Sequence, residues 1–264
     1  MNNRLVIIVT SCDLYKDCWE PLIFSFKKYW PDCPYSIYII SNFESLRDET
    51  IKFIPVGEHK GWGTNTKKAL KEIAQSNYIM HLHEDYFLCK TVETAKIEAL
   101  LDHCDAENLT YLRISSNRPC RDNYRIGDSI YCDDPVGVPY SLCLQPSIWK
   151  RSFYESLCIE RWSCWDLERN INGYIIENKI EVKSQAIYSE FYNDYCLPVV
   201  ADTAIRKGKW TLAGAKFLKE NGFDTIYKSR RHEGFITRFL ININQRGVRV
   251  GPILRFFQRI NINI

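Results

Sequence analysis

An imidazole and two carboxylates follow one another at His83, Glu84 and Asp85. The run before them, residues 78–82, is largely apolar and predicts a short buried strand, and an apolar segment resumes at Tyr86. Open α/β sheets bind ligands at the carboxyl ends of their strands, which is where this strand delivers the three side chains. Buried charges need a partner, and a divalent cation carrying a diphosphate is one such partner. A solvated acidic turn after an ordinary strand is the alternative interpretation.

A second pair of carboxylates, Asp166 and Glu168, follows Ser163, which is a suitable helix cap. A helix that begins there places Asp166 near its amino end, where the helix dipole stabilises an anion. Trp165 lies beside both acids, so the segment combines an aromatic platform for a sugar ring with a general base. We assign the base to Asp166, with Glu168 as the second candidate. An ordinary capped amphipathic helix with tryptophan in the core explains the same segment.

Short apolar and β-branched runs predict the strands that must position these groups. The predicted strands cover residues 5–9, 35–40, 53–56, 78–82, 111–114, 140–144 and 180–187. Helices are predicted at residues 21–29, 67–74, 91–103 and 211–221, with another beginning at residue 145. Strands that alternate with helices indicate an α/β fold with a parallel sheet.

Charge and cysteine content narrow the classes of protein. A net charge of +3 over 264 residues, evenly mixed, gives no indication of nucleic-acid binding. The eleven cysteines form no CxxC pair, so we expect reduced thiols in a cytoplasmic protein and no zinc site. We divide the chain into a domain at residues 1–225 and a helical, basic and apolar extension at 226–264. Such an extension can lie on an anionic membrane surface, although packing helices with a solvated face fit it equally.

Taken together, these segments resemble a glycosyltransferase of the GT-A fold. The resemblance rests on Thr-Ser-Cys-Asp at residues 10–13, Gly-Trp-Gly-Thr-Asn at 61–65 and His-Glu-Asp at 83–85. It covers roughly the first two thirds of the chain. It implies a Rossmann-like, mixed but mainly parallel sheet flanked by helices, with a nucleotide-sugar bound at the carboxyl edge.

The resemblance also implies roles for particular residues. Asp85 and Glu84 would hold Mn²⁺ or Mg²⁺, although His83 stands where an acid is expected. Asp166 would supply the base, with Glu168 as its alternative, and Trp165 would stack on a sugar. The residues implied in nucleotide-sugar binding are Thr10, Ser11, Asp13, Asn42, Trp62, Asn65, Lys68, Glu84 and Lys209.

The activity implied is sugar transfer from a nucleotide-sugar, a UDP-sugar in the first instance, to a hydroxyl of a glycan or a lipid-linked glycan. We place it in surface polysaccharide synthesis, in the cytoplasm at the inner face of the membrane. A sugar-phosphate nucleotidyltransferase is a second hypothesis, but it calls for a glycine-rich basic loop after the first strand, where residues 10–13 have neither feature. A carbohydrate-binding or scaffold protein on a transferase fold is the third.

Overall fold

The computed structural model describes residues 4–116, 123–126, 129–133, 141–188, 197–200 and 203–234. The chain divides into two compact units, Met1–Val199 and Val200–Ile264. The predicted boundary between residues 225 and 226 is not tested, and most of the predicted helical extension, residues 235–264, lies outside the described residues. Within the described part, no helix is both long enough and apolar enough to cross a membrane.

The first unit is built on one mixed sheet. In chain order its strands are β1 (Leu5–Thr10), β2 (Ser36–Ser41), β3 (Ile51–Pro55), β4 (Tyr78–His83), β5 (Tyr111–Ser116), β6 (Asn123–Ile126), β7 (Ser129–Asp133), β8 (Ser147–Lys150) and β9 (Ser184–Tyr188). Their spatial order is β3-β2-β1-β4-β8-β5-β9-β7-β6. The predicted fold class, a mixed α/β sheet flanked by helices, is confirmed.

Strands β3, β2, β1 and β4 pair in parallel, and β5 also pairs in parallel with β9. Antiparallel pairing begins where β8 joins β4, and it recurs around β7 at the far end. The chain runs from β1 outward to β3 and then returns to β4 on the other side of β1. The point between β1 and β4 is therefore the topological switch point, where open α/β sheets bind their ligands.

Helices cover both faces of this sheet. They are α1 (Trp19–Tyr29), α2 (Trp62–Ala69), α3 (Thr94–Ala106), α4 (Arg151–Ser156) and α5 (Cys164–Glu177), with a 3-10 helix at Asp13–Cys18 before α1. Because side chains alternate along a strand, Val6 and Ile8 face the core formed with α2, α4 and α5. On the opposite face, Trp19 of α1 packs edge-on against Phe53 at 5.0 Å.

Some predicted elements are wrong. Residues 141–144 form bends where a strand was expected, and β8 occupies Ser147–Lys150 where a helix was expected to begin. Helix α2 begins at Trp62, five residues before its predicted start at residue 67, because Trp62 and Gly63 are themselves helical. These differences leave the acidic turn after β4 in its predicted place.

The second unit contains a short antiparallel pair, β10 (Ile205–Arg206) and β11 (Lys209–Trp210). Two helices follow it, α6 (Leu212–Glu220) and α7 (Asp224–Tyr227). Thr211 caps α6 by accepting a hydrogen bond from the backbone N–H of Gly214 at 3.0 Å. The predicted helix at residues 211–221 is confirmed within one residue at each end.

Candidate active site

The last residues of β1 and β4 meet at the switch point. Thr10 and His83 are partners in the parallel register, and Thr10 Oγ1 lies 3.0 Å from His83 Nδ1. Thr10 is buried and His83 is half-buried. The hydrogen bond therefore fixes the start of the acidic turn to the end of the central strand.

Two imidazoles lie on the same face of β4, because His81 and His83 are two residues apart in a strand. Their ring centroids are 4.9 Å apart, and His81 Nδ1 lies 2.8 Å from the hydroxyl of Tyr154. Burial lowers the pKa of His81 well below its usual value, and the nearby His83 acts in the same direction. Burial also lowers the pKa of His83, although the charge of Asp85 opposes that change. Burial therefore favours the neutral form of both rings.

Glu84 is only 8% exposed and lies close to two thiols. Burial raises the pKa of Cys12 and of Cys164, the latter to about 12, and the negative charge of Glu84 contributes to both shifts. Cys12 follows β1, and Cys164 begins α5. The loop after β1, the acidic turn and the amino end of α5 therefore converge on one site.

Glu168 reaches the same place from the second turn of α5. Its charge also raises the pKa of Cys164, and its carboxylate accepts a hydrogen bond from the backbone N–H of Leu144 at 3.0 Å. Burial raises the pKa of Glu168 above its usual value, and that hydrogen bond only partly opposes the shift. A carboxylate with a raised pKa beside a ligand edge has the properties of a general base.

Asp166 is occupied in capping α5. Its Oδ2 accepts hydrogen bonds from the backbone N–H and the hydroxyl of Ser163, at 3.0 and 2.6 Å, while Ser163 Oγ accepts from Asp166 N. The hydrogen bond from the Ser163 hydroxyl is the main reason that the pKa of Asp166 is lowered. A lowered pKa makes Asp166 a weaker base than Glu168, so the geometry favours the second candidate over the first.

Asp13 and Asn42 are brought together, as the resemblance implied, but largely by contacts with the protein itself. The carboxylate of Asp13 accepts hydrogen bonds from the backbone N–H groups of Asn42, Phe43 and Glu44, at 3.0, 3.0 and 3.3 Å. The side chain of Asn42 donates to the carbonyl of Gly57 at 2.9 Å. These two residues organise the loop after β2, and their contact with a base or ribose stays a prediction.

The Gly-Trp-Gly segment packs against the chain that leads into α5. A Cβ atom on Gly63 would lie 2.0 Å from the carbonyl oxygen of Ile159, and the N–H of Gly63 donates to the carbonyl of Trp162 at 3.0 Å. Only glycine permits this close approach of two backbones. Trp62 is 5% exposed and packs edge-on against Tyr154 at 5.7 Å, so its indole lies in the core.

Asn65 and Lys68 make local contacts on α2. Asn65 Oδ1 accepts from the backbone N–H of Lys60 at 3.2 Å, and Lys68 Nζ donates to the carbonyl of Val56 at 2.6 Å. Lys68 is an exposed residue of α2, and its Nζ reaches Val56, the residue that follows β3. Its position near the carboxyl edge agrees with the predicted one, and its phosphate contact stays a prediction.

The remaining predicted residues differ in their surroundings. Ser11 accepts a hydrogen bond from the indole N–H of Trp19 at 2.8 Å. Trp165 is 69% exposed at the start of α5, as a sugar platform requires. Lys209 lies on β11 in the second unit, and its predicted contact with a diphosphate is not tested.

Sequence reasoning missed three residues of this site. The signal for His81 was available, because alternation along β4 places it on the face of His83. Cys164 lies two residues before the predicted base, but the sequence predicts it only as one of eleven reduced thiols. Tyr154 meets His81 from α4, 73 residues later in the chain, and no local pattern predicts that contact.

A metal site in a protein needs several oxygen, nitrogen or sulfur ligands grouped around one point. Among the described residues, no three or more His, Cys, Asp or Glu side chains are grouped so that they could hold a metal ion. Asp85 and Glu84 follow β4 as predicted, but the described residues do not complete a metal site around them. The Mn²⁺ or Mg²⁺ ion therefore stays a prediction.

Comparisons with known proteins identify no family. No family model matches the chain, and no curated protein matches it. Solved structures that resemble it include residues 1–349 of S. aureus TarS, at 14% identity and a TM-score of 0.46, covering 72% of this chain and 62% of that one. A galactosyltransferase LgtC in complex with donor and acceptor sugar analogues has 12% identity and a TM-score of 0.35, covering 85% and 82%.

A synthetase is also among the similar structures. It is a CMP:2-keto-3-deoxy-manno-octonic acid synthetase complexed with CTP, at 10% identity and a TM-score of 0.37, covering 70% of this chain and 90% of that one. The chain spans 37% of the longer S. aureus TarS chain that it resembles. The fold class of this protein therefore rests on its own sheet, and its activity is a matter of proposal.

Proposed function

We propose that this protein transfers a sugar from a nucleotide-sugar donor to a hydroxyl group of a glycan or a lipid-linked glycan. The observation that carries the proposal is the convergence of Glu84 and Glu168 at the switch point between β1 and β4. A ligand edge with a buried carboxylate and a second carboxylate of raised pKa suits chemistry that removes a proton from a hydroxyl group.

In the proposed reaction, Glu168 accepts the proton of the acceptor hydroxyl. The hydroxyl oxygen then forms a bond with the anomeric carbon of the donor sugar, and the bond from that carbon to the diphosphate breaks. The nucleoside diphosphate leaves with the electron pair. Trp165, exposed beside the base, stacks on the apolar face of a sugar ring.

The loop residues bind the donor in this proposal. Thr10 and Asn42 lie at the carboxyl ends of β1 and β2. Asn65 lies in the first turn of α2 and Lys68 in its last turn. We take a UDP-sugar as the first donor to test. A Mn²⁺ or Mg²⁺ ion at Asp85 and Glu84 belongs to the proposal as a prediction, and titration with a chelator tests it.

The cellular setting is also proposed. A lipid-linked acceptor would place the protein at the inner face of the membrane, in surface polysaccharide synthesis. The basic, apolar sequence of residues 226–264 supports this location.

A thermal-shift panel of UDP, GDP, CMP and dTDP, each with and without Mn²⁺, tests donor binding. One nucleotide should raise the melting temperature of the wild type, because a ligand that binds only the folded state stabilises it. Asp85→Ala should reduce that shift, whereas Glu72→Ala, which removes an exposed carboxylate on the loop before β4, should retain it. No shift with any of the four nucleotides would contradict the proposal.

The nucleotidyltransferase hypothesis predicts a different substrate and a different product from sugar transfer. It predicts binding of a nucleoside triphosphate with release of pyrophosphate, whereas sugar transfer releases a nucleoside diphosphate. Phosphate-release assays after incubation with each donor class distinguish the two reactions. A scaffold protein would release neither product.

A further inference from the structure

Three segments of the second unit form a small ribbon. Arg206 on β10 is the register partner of Lys209 on β11. The backbone N–H of Trp210 donates to the carbonyl of Arg231 at 2.9 Å, and the N–H of Glu233 donates to the carbonyl of Trp210 at 2.8 Å. This parallel bridge pairs Trp210 with His232. The segment around His232 therefore lies beside β11 as a third strand-like segment.

The register gathers like charges on one side of the ribbon. Because side chains alternate, Arg206, Lys209 and Arg231 lie on the face opposite Trp210, and Glu233 lies on that face with them. Like charges on neighbouring strands repel one another. Arg206 is neutralised by buried Glu233, with Nη1 2.9 Å from Oε1. Within residues 203–234, no acidic side chain lies within ion-pair distance of Lys209 or Arg231.

The turn of the hairpin adds a third cation. Lys207 and Gly208 connect β10 to β11, with φ angles of 49° and 73°. Two successive left-handed residues make the tight turn typical of two-residue hairpins, where Asn or Gly is usual at the first position. Lys207 is exposed there, and no acidic side chain of residues 203–234 pairs with it. Leu212, 40% exposed, follows the hairpin at the start of α6.

Basic residues are also concentrated in the second unit when the whole sequence is counted. Residues 200–264 contain 13 Lys and Arg but 4 Asp and Glu, whereas residues 1–199 contain 22 and 28. A basic unit on an otherwise acidic protein is attracted to anionic surfaces. Exposed cations beside an exposed apolar side chain are typical of contact with an anionic bilayer.

We propose that Lys207, Lys209 and Arg231 form a site for phosphate groups, and that these groups belong to anionic lipid headgroups. The cross-strand repulsion between the cations is relieved when a phosphate lies between them. This inference concerns membrane recognition by the second unit and does not depend on the proposed transferase activity. The same cations could hold the phosphates of a soluble diphosphate, so the experiment has an arm for each source.

Sedimentation of the full chain with vesicles tests the site. Wild-type protein should bind vesicles of phosphatidylglycerol and phosphatidylcholine but not vesicles of phosphatidylcholine alone. Each basic residue near an anionic surface contributes about fivefold in affinity, so the triple variant Lys207→Gln, Lys209→Gln and Arg231→Gln should bind roughly a hundredfold more weakly.

A matched triple variant controls for net charge. Lys216, Lys219 and Lys228 are exposed cations of the same unit, and Lys216 already pairs with Glu220. Changing all three to Gln removes the same charge and should weaken binding far less. Circular dichroism should show both triple variants to be folded, and Lys207→Gln with Arg231→Gln, two exposed positions, provides a milder second test.

Three outcomes would overturn the proposal. If the wild-type protein does not bind anionic vesicles, the site does not exist. If the two triple variants lose the same amount of vesicle affinity, binding depends on the net charge of the unit and not on this site. In the other arm, calorimetry measures binding of inorganic pyrophosphate. If the site variant loses pyrophosphate binding but retains vesicle binding, the phosphates come from a soluble ligand and the lipid assignment is wrong.

Discussion

The two edges of the main sheet treat their charged groups differently. At the amino edge, the guanidinium of Arg4 meets Glu98, Asp102 and Asp105 at 3.1, 2.7 and 2.6 Å. Asp105 also accepts a hydrogen bond from the hydroxyl of Tyr78 at 2.6 Å. Each charge in this cluster lies against an opposite charge or a hydrogen-bond donor, which is the arrangement that stabilises a fold.

At the carboxyl edge, several polar and titratable groups are buried at a cost in free energy. His81 Nε2 and Trp62 Nε1 are buried, and neither has a hydrogen-bond partner among the described residues. Glu84 is buried beside Cys164, and Glu168 has a raised pKa. Clusters of perturbed titratable groups are typical of functional sites.

A concave surface is also present at the amino edge, but its side chains differ from those of the carboxyl edge. A cavity of about 390 Å³ lies at the amino edge, between Tyr78, Asp105, Lys150 and Arg151. Its charged side chains are paired, since Lys150 donates to Asn108 at 3.1 Å and Arg151 binds Glu155 at 2.7 Å. The charged side chains of this cavity therefore have partners within the protein, in contrast to the buried groups of the opposite edge, and we do not assign a ligand to it.

Removal of the proposed base is the strongest test of whether the carboxyl edge is the catalytic one. Glu168→Gln should lower kcat by about 10²–10⁴, which is the usual contribution of general-base catalysis, with little change in stability. The matched change Asp166→Asn, two residues before Glu168 in α5, should lower kcat less than tenfold. Steady-state kinetics on both variants measure the difference. Similar kinetics for the two variants would show that the pKa contrast has no catalytic meaning.

The pH dependence provides a second readout for the same residue. The base must be deprotonated, so kcat/KM should fall as the pH drops through the pKa of Glu168. Because burial raises that pKa, the fall should begin at a higher pH than for an ordinary glutamate. A profile that is flat down to the usual glutamate range would assign the base elsewhere.

Local sequence patterns predicted the parts of the structure that depend on neighbours in the chain. Alternation and β-branched runs predicted β1 to β4, and Ser163 predicted the start of α5, where the cap is a complete capping box. The same reasoning failed at Ser147, because β8 has four residues and owes its conformation to antiparallel pairing with β4 and β5. Pro146 before it was interpreted as a helix start.

The site itself was predicted in position more than in role. The partners of Asp13 lie 29–31 residues further along the chain, so its use in holding a loop was invisible in the sequence. The choice between Asp166 and Glu168 also depended on burial, which a helix pattern does not give. The spacing of Asp166 and Glu168 places both acids near the carboxyl edge. Their burial and hydrogen bonds are what identify Asp166 as a helix cap and Glu168 as the better candidate for a base.

A glycine tests how the carboxyl edge is built. Gly63→Ala should destabilise the protein by about 3 kcal/mol, because its Cβ would overlap the carbonyl oxygen of Ile159 at 2.0 Å. Gly173→Ala, in α5, has no atom within 4 Å of its Cβ and should stabilise the protein by about 0.5–1 kcal/mol. Urea unfolding measures both. Nucleotide binding should weaken in Gly63→Ala alone, and equal effects of the two changes would mean that the close backbone contact is not formed.

The smallest effect is expected at the amino edge, with Arg4→Gln. Its carboxylate partners are 32–71% exposed, so water screens the cluster and the loss should be about 1–2 kcal/mol. The pKa of Asp105 is lowered, mainly by the hydrogen bond from Tyr78 and further by Arg4. A lowered pKa means that ionised Asp105 stabilises the fold above the usual aspartate pKa, and this stabilisation is lost as the pH falls. The stability gap between wild type and variant should therefore be present at pH 7 and narrow near pH 3, as urea unfolding at the two pH values would measure. The value of kcat should be unchanged, since the proposed catalytic residues lie at the opposite edge of the sheet. A fall in kcat without a fall in stability would contradict the proposed separation between the two edges.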